Sequence, residues 1–435
     1  MTVQHSEPRP NPRRALREGP RPLPLHLTTA INSWLSSQAA LPLLKNGSIE
    51  WRPEVAARGA ALSQRLASAL AQNQKAAPNE NSPSPNQSNL DLFDQAVTRE
   101  VFGRLQDLAA GIKTYRSHPY HRDLAEPATL WRDGTTRLLD FRPAGGQPVL
   151  FVPSLVNRAY ILDLSAERSL LRWLAAETEI RPLLVDWDAP GEAERQFTLT
   201  DYVAGRLDRA FDAAYATSPN GAPIAVAGYC MGGLLALALA IRRQDQVSRL
   251  ALLATPWNFH TERVAQAEAA GRAITAAGAL LQSTGELPVD VIQSLFAGLD
   301  PFLVLRKFIA FAQLDPASDK ATQFVVLEDW LNDGVPLAGP VAHECLAGWY
   351  GENSPHRLQW RIDGEIVDPA AFTKPALVLV PEKDRIVPPL SAEALGQALP
   401  DATIEMLPFG HIGMVAGARA KSAVWEPLAT WLAAQ

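Results

Sequence analysis

The sequence predicts an α/β fold: a mostly parallel sheet, a helical cap inserted between two late strands, and a variable N-terminal region. Three observations carry this reading. Short apolar runs alternate with helical stretches from about residue 137 onward. One run leads directly into a Gly-x-Cys-x-Gly-Gly turn and a helix. The alternation breaks once, over residues 256–345, where the texture is helical and aromatic.

Taken in order, residues 1–24 are rich in Pro and Arg and are expected to be disordered. Apolar residues return over 26–44 around Trp34, and a helical pattern follows over 53–72. Asn, Pro, Ser and Gln dominate 72–89, which reads as a linker. Residues 1–90 are therefore expected to form a variable region, and 91–435 the main body. Helical spacing opens that body at 91–115, through Leu92, Phe93, Val97, Val101, Phe102, Leu105, Leu108 and Ile112. Runs at 137–141, 149–152, 182–185, 224–227, 250–253, 376–380 and 404–407 have the length and composition of buried strands. Helical stretches are predicted between them at 162–177, 199–217, 230–243 and 391–399. Within 256–345, helices are expected at 263–281, 289–297 and 302–314. Their aromatic residues are expected mostly in the core, and a cap over the strand ends would lie where ligands bind in such sheets.

Composition narrows the function. Of 435 residues, 47% are apolar and 20% charged, enough for a globular core. Forty Lys and Arg face 46 Asp and Glu, a net charge of −6, which argues against a dedicated nucleic-acid binder. Cys230 and Cys345 make no zinc-type cluster, so no metal site is expected, and a cytoplasmic location fits this sparse cysteine usage. No run reaches the roughly 18 apolar residues of a membrane span. The Arg-rich start lacks the apolar segment and cleavage pattern of a secretory signal. Neither a Rossmann fingerprint nor a P-loop occurs, and no cofactor is expected.

The chemistry concentrates on Ile224-Ala-Val-Ala-Gly228-Tyr229-Cys230-Met231-Gly232-Gly233. A strand, a sharp turn and a helix form a nucleophile elbow, here with Cys where Ser is usual. Gly228, Gly232 and Gly233 remove side chains that would clash across the turn. The helix N-terminus favours the Cys230 thiolate and directs the Met231 N–H at a developing oxyanion. The order nucleophile, acid, histidine then selects Asp384, just past the run 376–380, and His411, between Gly410 and Gly413 after the last strand. Glu382 is the rival acid and Asp368 a more distant one. A second oxyanion donor is expected in the loop Pro153-Ser154-Leu155-Val156-Asn157, at the Leu155 backbone N–H, with Ser154 capping the turn. His118 and His121 read as packing or surface residues. His343 and Cys345 could line the site, although core packing is the simpler role for Cys345.

These residues resemble the polyhydroxyalkanoate synthases, a branch of the α/β-hydrolase superfamily. Gly228 to Gly233 matches their nucleophile box, and similar stretches recur at 150–157, 160–164, 183–187 and 201–202. Others are Trp330-Leu-Asn-Asp333, Gly339-Pro-Val-Ala-His343, Trp349-Tyr-Gly-Glu-Asn353, Asp384-Arg-Ile-Val-Pro388 and Gly410-His411-Ile412. Arg385 stands where the family often has His. The resemblance implies an α/β-hydrolase fold and acyl transfer from (R)-3-hydroxyacyl-coenzyme A, through an acyl-Cys intermediate, onto a hydroxyl to form polyester. It also implies a homodimer and association with polyester granules. A Cys nucleophile suits transfer, because the acyl-Cys thioester stays activated toward a hydroxyl. A hydrolase with the same three residues is the alternative, separated by whether water reaches the intermediate. A granule- or partner-binding protein with a vestigial site is a third reading, which retention of Cys230, Asp384 and His411 opposes.

Overall fold

The structure is a computed structural model that describes residues 17–75 and 85–434. Most of the segment expected to be disordered and the centre of the expected linker lie outside the described residues. Contacts divide the chain into two units. One holds the described residues up to Tyr120 together with Asp300–Val325, and the other holds His121–Leu299 and the chain from Val326 onward.

The first unit is helical. It contains α1 (Leu23–Lys45), α2 (Ala56–Lys75) and α3 (Pro85–Ser117), with a further helix at Leu303–Ala312. The apolar stripe of α3 supplies Val101, Leu108, Ile112 and Tyr115 to a core shared with Ala30, Trp34, Leu305, Phe308 and Phe311. A side chain at Gly111 would meet the Phe308 carbonyl oxygen at 2.1 Å, so this glycine permits the close crossing of α3 and Leu303–Ala312. Tyr115 packs edge-on against Phe308 at 5.6 Å, and Phe311 stacks on Phe324 at 4.2 Å. His118 is a packing residue here: its Nε2 lies 2.9 Å from the Pro316 carbonyl oxygen, and its Nδ1 accepts from the Tyr120 N–H.

The second unit is built on an eight-stranded sheet. Its strands are β1 (Ala128–Asp133), β2 (Thr136–Asp140), β3 (Gln147–Val152), β4 (Ile180–Asp186), β5 (Ile224–Tyr229), β6 (Val247–Leu253), β7 (Ala376–Pro381) and β8 (Ala402–Leu407), in spatial order 1-2-4-3-5-6-7-8. β3 to β8 pair in parallel, while β1 and β2 make an antiparallel edge. β5 is buried at every position, as a central strand covered on both faces requires. The carboxyl ends of β3, β5, β7 and β8 therefore open on one edge of the sheet, where the loops bearing Leu155, Cys230, Asp384 and His411 begin.

Two local differences from the sequence reading have plain causes. The helix expected over 162–177 is confined to α4 (Leu170–Glu177), and 163–169 instead forms a small antiparallel ribbon. Asp163 is buried there and accepts from Ser169 Oγ, Arg172 and Arg122 at 2.7–2.8 Å, which holds the chain extended. Residues 199–217 are helical, but their first two turns, Asp201–Leu207, are wound more loosely before α5 (Asp208–Tyr215). Among the described residues no helix is long and apolar enough to cross a membrane.

Candidate active site

The site begins where β5 ends. Cys230 has φ 56° and ψ −130°, and α6 (Met231–Arg242) starts at the next residue. A non-glycine residue in this region stores on the order of 1–3 kcal/mol of backbone strain. The surroundings enforce it. The Cys230 N–H donates to the Leu253 carbonyl at 2.9 Å, and the Cys230 carbonyl accepts from Gly233 N–H at 2.9 Å. A Cβ on Gly232 would lie 2.1 Å from the Val152 carbonyl oxygen, and one on Gly233 would lie 1.9 Å from Thr255 Oγ1. One on Gly228 would meet Gly233 Cα at 2.4 Å. The three glycines thus let α6 start against the ends of β3 and β6.

His411 and Asp384 are both buried, and His411 Nδ1 stands 2.6 Å from Asp384 Oδ2. The other carboxylate oxygen, Oδ1, accepts the Ile386 and Val387 N–H groups at 2.8 and 2.9 Å, which fixes the plane of the carboxylate. Glu382 is exposed and Asp368 caps the short turn at Ala370, so of the three acids only Asp384 meets the histidine. Burial opposes charge on the imidazole. The Cys230 charge, the hydrogen bond to Asp384 and the Asp384 charge outweigh it and hold the His411 pKa up at about 10. A raised pKa favours the protonated imidazole.

Met231 and Leu155 are the residues expected to supply backbone donors. Met231 N–H is the first of α6 and has no intrahelical acceptor. Leu155 follows the Val152–Pro153 backbone that touches Gly232, and its side chain packs in the same buried cluster as Met231. Among the described residues the Leu155 N–H meets no acceptor. Its loop is held by Trp187 Nε1, which donates to the Pro153 carbonyl at 3.0 Å, and by Ser154 Oγ, which accepts from Val156 N–H at 3.1 Å.

The alpha/beta hydrolase fold model matches residues 147–418. Three curated relatives, each named as a poly(3-hydroxyalkanoate) polymerase subunit PhaC, are 30% identical to the chain. The protein of Synechocystis matches over 66% of this chain and 77% of its own length. That of Allochromatium vinosum matches over 66% and 80%. That of Haloarcula marismortui matches over 65% and 60%. The chain belongs to the PhaC polymerase family. Its fold is the α/β-hydrolase fold of that family.

Two tyrosines of this PhaC-family chain escaped the sequence reading. Tyr229 is buried, its hydroxyl donates to the His411 carbonyl at 3.2 Å, and its ring lies 5.2 Å from the imidazole. Tyr350 lies within electrostatic reach of the site: burial, then the charges of Cys230 and Cys345, push its hydroxyl above the ordinary range. Position alone could have flagged Tyr229, since it precedes the nucleophile on a fully buried strand. No local signal marks Tyr350. Cys345 packs in the core, where burial pushes its thiol well up, and His343 is exposed.

Proposed function

We propose that the chain is an acyltransferase that polymerises 3-hydroxyacyl groups from coenzyme A thioesters through an acyl-Cys230 intermediate. The observation that carries this is a cysteine at the elbow whose charge acts on a buried His411 that Asp384 orients. Membership of the PhaC family supports it. In the first step the Cys230 thiolate attacks the thioester carbonyl carbon, and the Met231 and Leu155 N–H groups stabilise the oxyanion. The intermediate collapses with loss of the coenzyme A thiolate, which takes the proton held by His411. The hydroxyl of a second hydroxyacyl group then gives its proton to His411 and attacks the acyl-Cys230 carbonyl. The new ester leaves and the thiolate is restored. Asp384 keeps the imidazole in the tautomer and orientation that both steps need. The growing polyester or its granule, and a second copy of this chain, are the partners this reading expects.

The test is a time course of the purified protein with (R)-3-hydroxybutyryl-coenzyme A, following free coenzyme A and the acyl product beside Cys230→Ala. Coenzyme A release with insoluble polyester, lost in the variant, is the expected result. Release with only free 3-hydroxybutyrate would make the chain a hydrolase instead.

A further inference from the structure

The loop that carries Leu155 is bound along its length by a second segment, residues 330–335. Val335 N–H donates to the Val156 carbonyl at 3.3 Å, and Asn157 and Gly334 form an antiparallel bridge. Trp330, buried, donates from Nε1 to the Arg158 carbonyl at 2.8 Å. Asp333 receives the Tyr160 hydroxyl at 3.1 Å on Oδ2 and faces Arg158 Nε at 3.4 Å on Oδ1. Arg158 in turn pairs with Asp188, just beyond β4. A Cβ on Gly334 would meet Val289 Cγ1 at 2.9 Å, so a glycine suits this close approach. Residues 156, 157, 158 and 160 are thus each tied to 330–335, shortly after the Leu155 amide. Sheet pairing alone does not fix them, because β3 ends at Val152.

We propose that the 330–335 strap positions the second oxyanion donor, with Trp330 and Asp333 as positioning residues for the Leu155 N–H. The proposal rests on the acyl-Cys230 reading only in taking Cys230 as a nucleophile toward acyl carbonyls. An oxyanion forms during acylation but not during alkylation, so the two reactions of one thiol separate the role of the strap from the state of Cys230 and His411. The test uses Trp330→Phe, which keeps a ring but removes the donor, and Asp333→Asn, which keeps the shape. Each full-length variant is compared with wild type for its acylation rate by p-nitrophenyl butyrate, its alkylation rate by iodoacetamide, and its urea midpoint.

The expected result is a fall in acylation of about tenfold or more, as for a displaced donor, with alkylation unchanged. Asp333→Glu, which restores the carboxylate, regains part of the loss. Equal falls in both reactions would assign the residues to general integrity of the fold, and unchanged acylation would leave the strap without this role; either overturns the proposal. Absence of acylation in the wild type, with normal alkylation, would overturn it too, since no oxyanion site would then exist. Failure of polyester synthesis alongside the expected split would instead strike the polymerase reading and leave this one standing.

Discussion

Gly232→Ala places one methyl group where the geometry allows none. The new Cβ would sit 2.1 Å from the Val152 carbonyl oxygen and 2.5 Å from the Pro153 carbonyl carbon and oxygen. Ordinary contact lies near about 3.5 Å, so α6 and the β3 end must part by roughly 1.4 Å. Both partners are backbone, and no rotamer change relieves the clash. Overpacking of this kind costs about 1–3 kcal/mol of stability. The larger effect falls on chemistry. The gap opens between Met231 and the loop of Leu155, and a misplacement of about 1 Å can cost on the order of a hundredfold in rate. The assay pairs a urea unfolding curve with the acylation rate of Cys230. Gly103→Ala is the control: nothing lies within 4 Å of its Cβ, its backbone is helical, and it should gain about 0.5–1 kcal/mol. Wild-type acylation and stability in Gly232→Ala would refute the close-packed elbow.

Further outcomes follow from the hydrogen bonds around His411. Asp384→Asn removes the carboxylate that accepts from the imidazole and is expected to reduce coenzyme A release by several orders of magnitude, whereas Glu382→Gln, at an exposed position, leaves it near wild type; comparable losses in a rate assay would mean that the acid is misassigned. Tyr229→Phe strands the buried His411 carbonyl and should cost about 1 kcal/mol in a denaturant melt, together with a fall in kcat at unchanged KM. An unchanged melt would show that the bond contributes nothing. The His411 pKa of about 10 is raised largely by the charge of Cys230, which Cys230→Ala removes while burial still opposes protonation. The imidazole of the wild type then stays protonated through neutral pH and that of the variant titrates lower, as nitrogen chemical shifts of the histidine would read. Identical titrations would remove Cys230 as the cause.

The middle of the sheet was legible because its strands are buried on both faces and so appear as continuous apolar runs: β5 and β7 were found to within two residues. The edge strand β1 was missed because it is half exposed, although Asp133-Gly134 marks its turn to β2, with Gly134 at φ 56°. The elbow was legible because each glycine answers to a contact at fixed spacing from Cys230. The pairing of Asp384 with His411 was legible because each follows the carboxyl end of one of two adjacent parallel strands. Long-range pairing left no such mark. Periodicity showed the apolar stripe of α3 but not that Phe308 and Phe311 would cover it. Composition likewise gave no sign that Asp163 would be buried and its segment extended, or that 330–335 would bind the loop of Leu155, since these depend on partners more than 100 residues away or on one buried charge finding its arginines.

The central claim is that acyl groups pass through the sulfur of Cys230. It is tested most directly by quenching a reaction with (R)-3-hydroxybutyryl-coenzyme A in acid within the first turnovers, digesting the protein and weighing the peptide that contains Cys230. A hydroxyacyl adduct, or a short oligomer of it, is expected on that cysteine and is absent when Cys230 is alanine. Polyester formed with Cys230 unmodified throughout, or formed by Cys230→Ala, would contradict it.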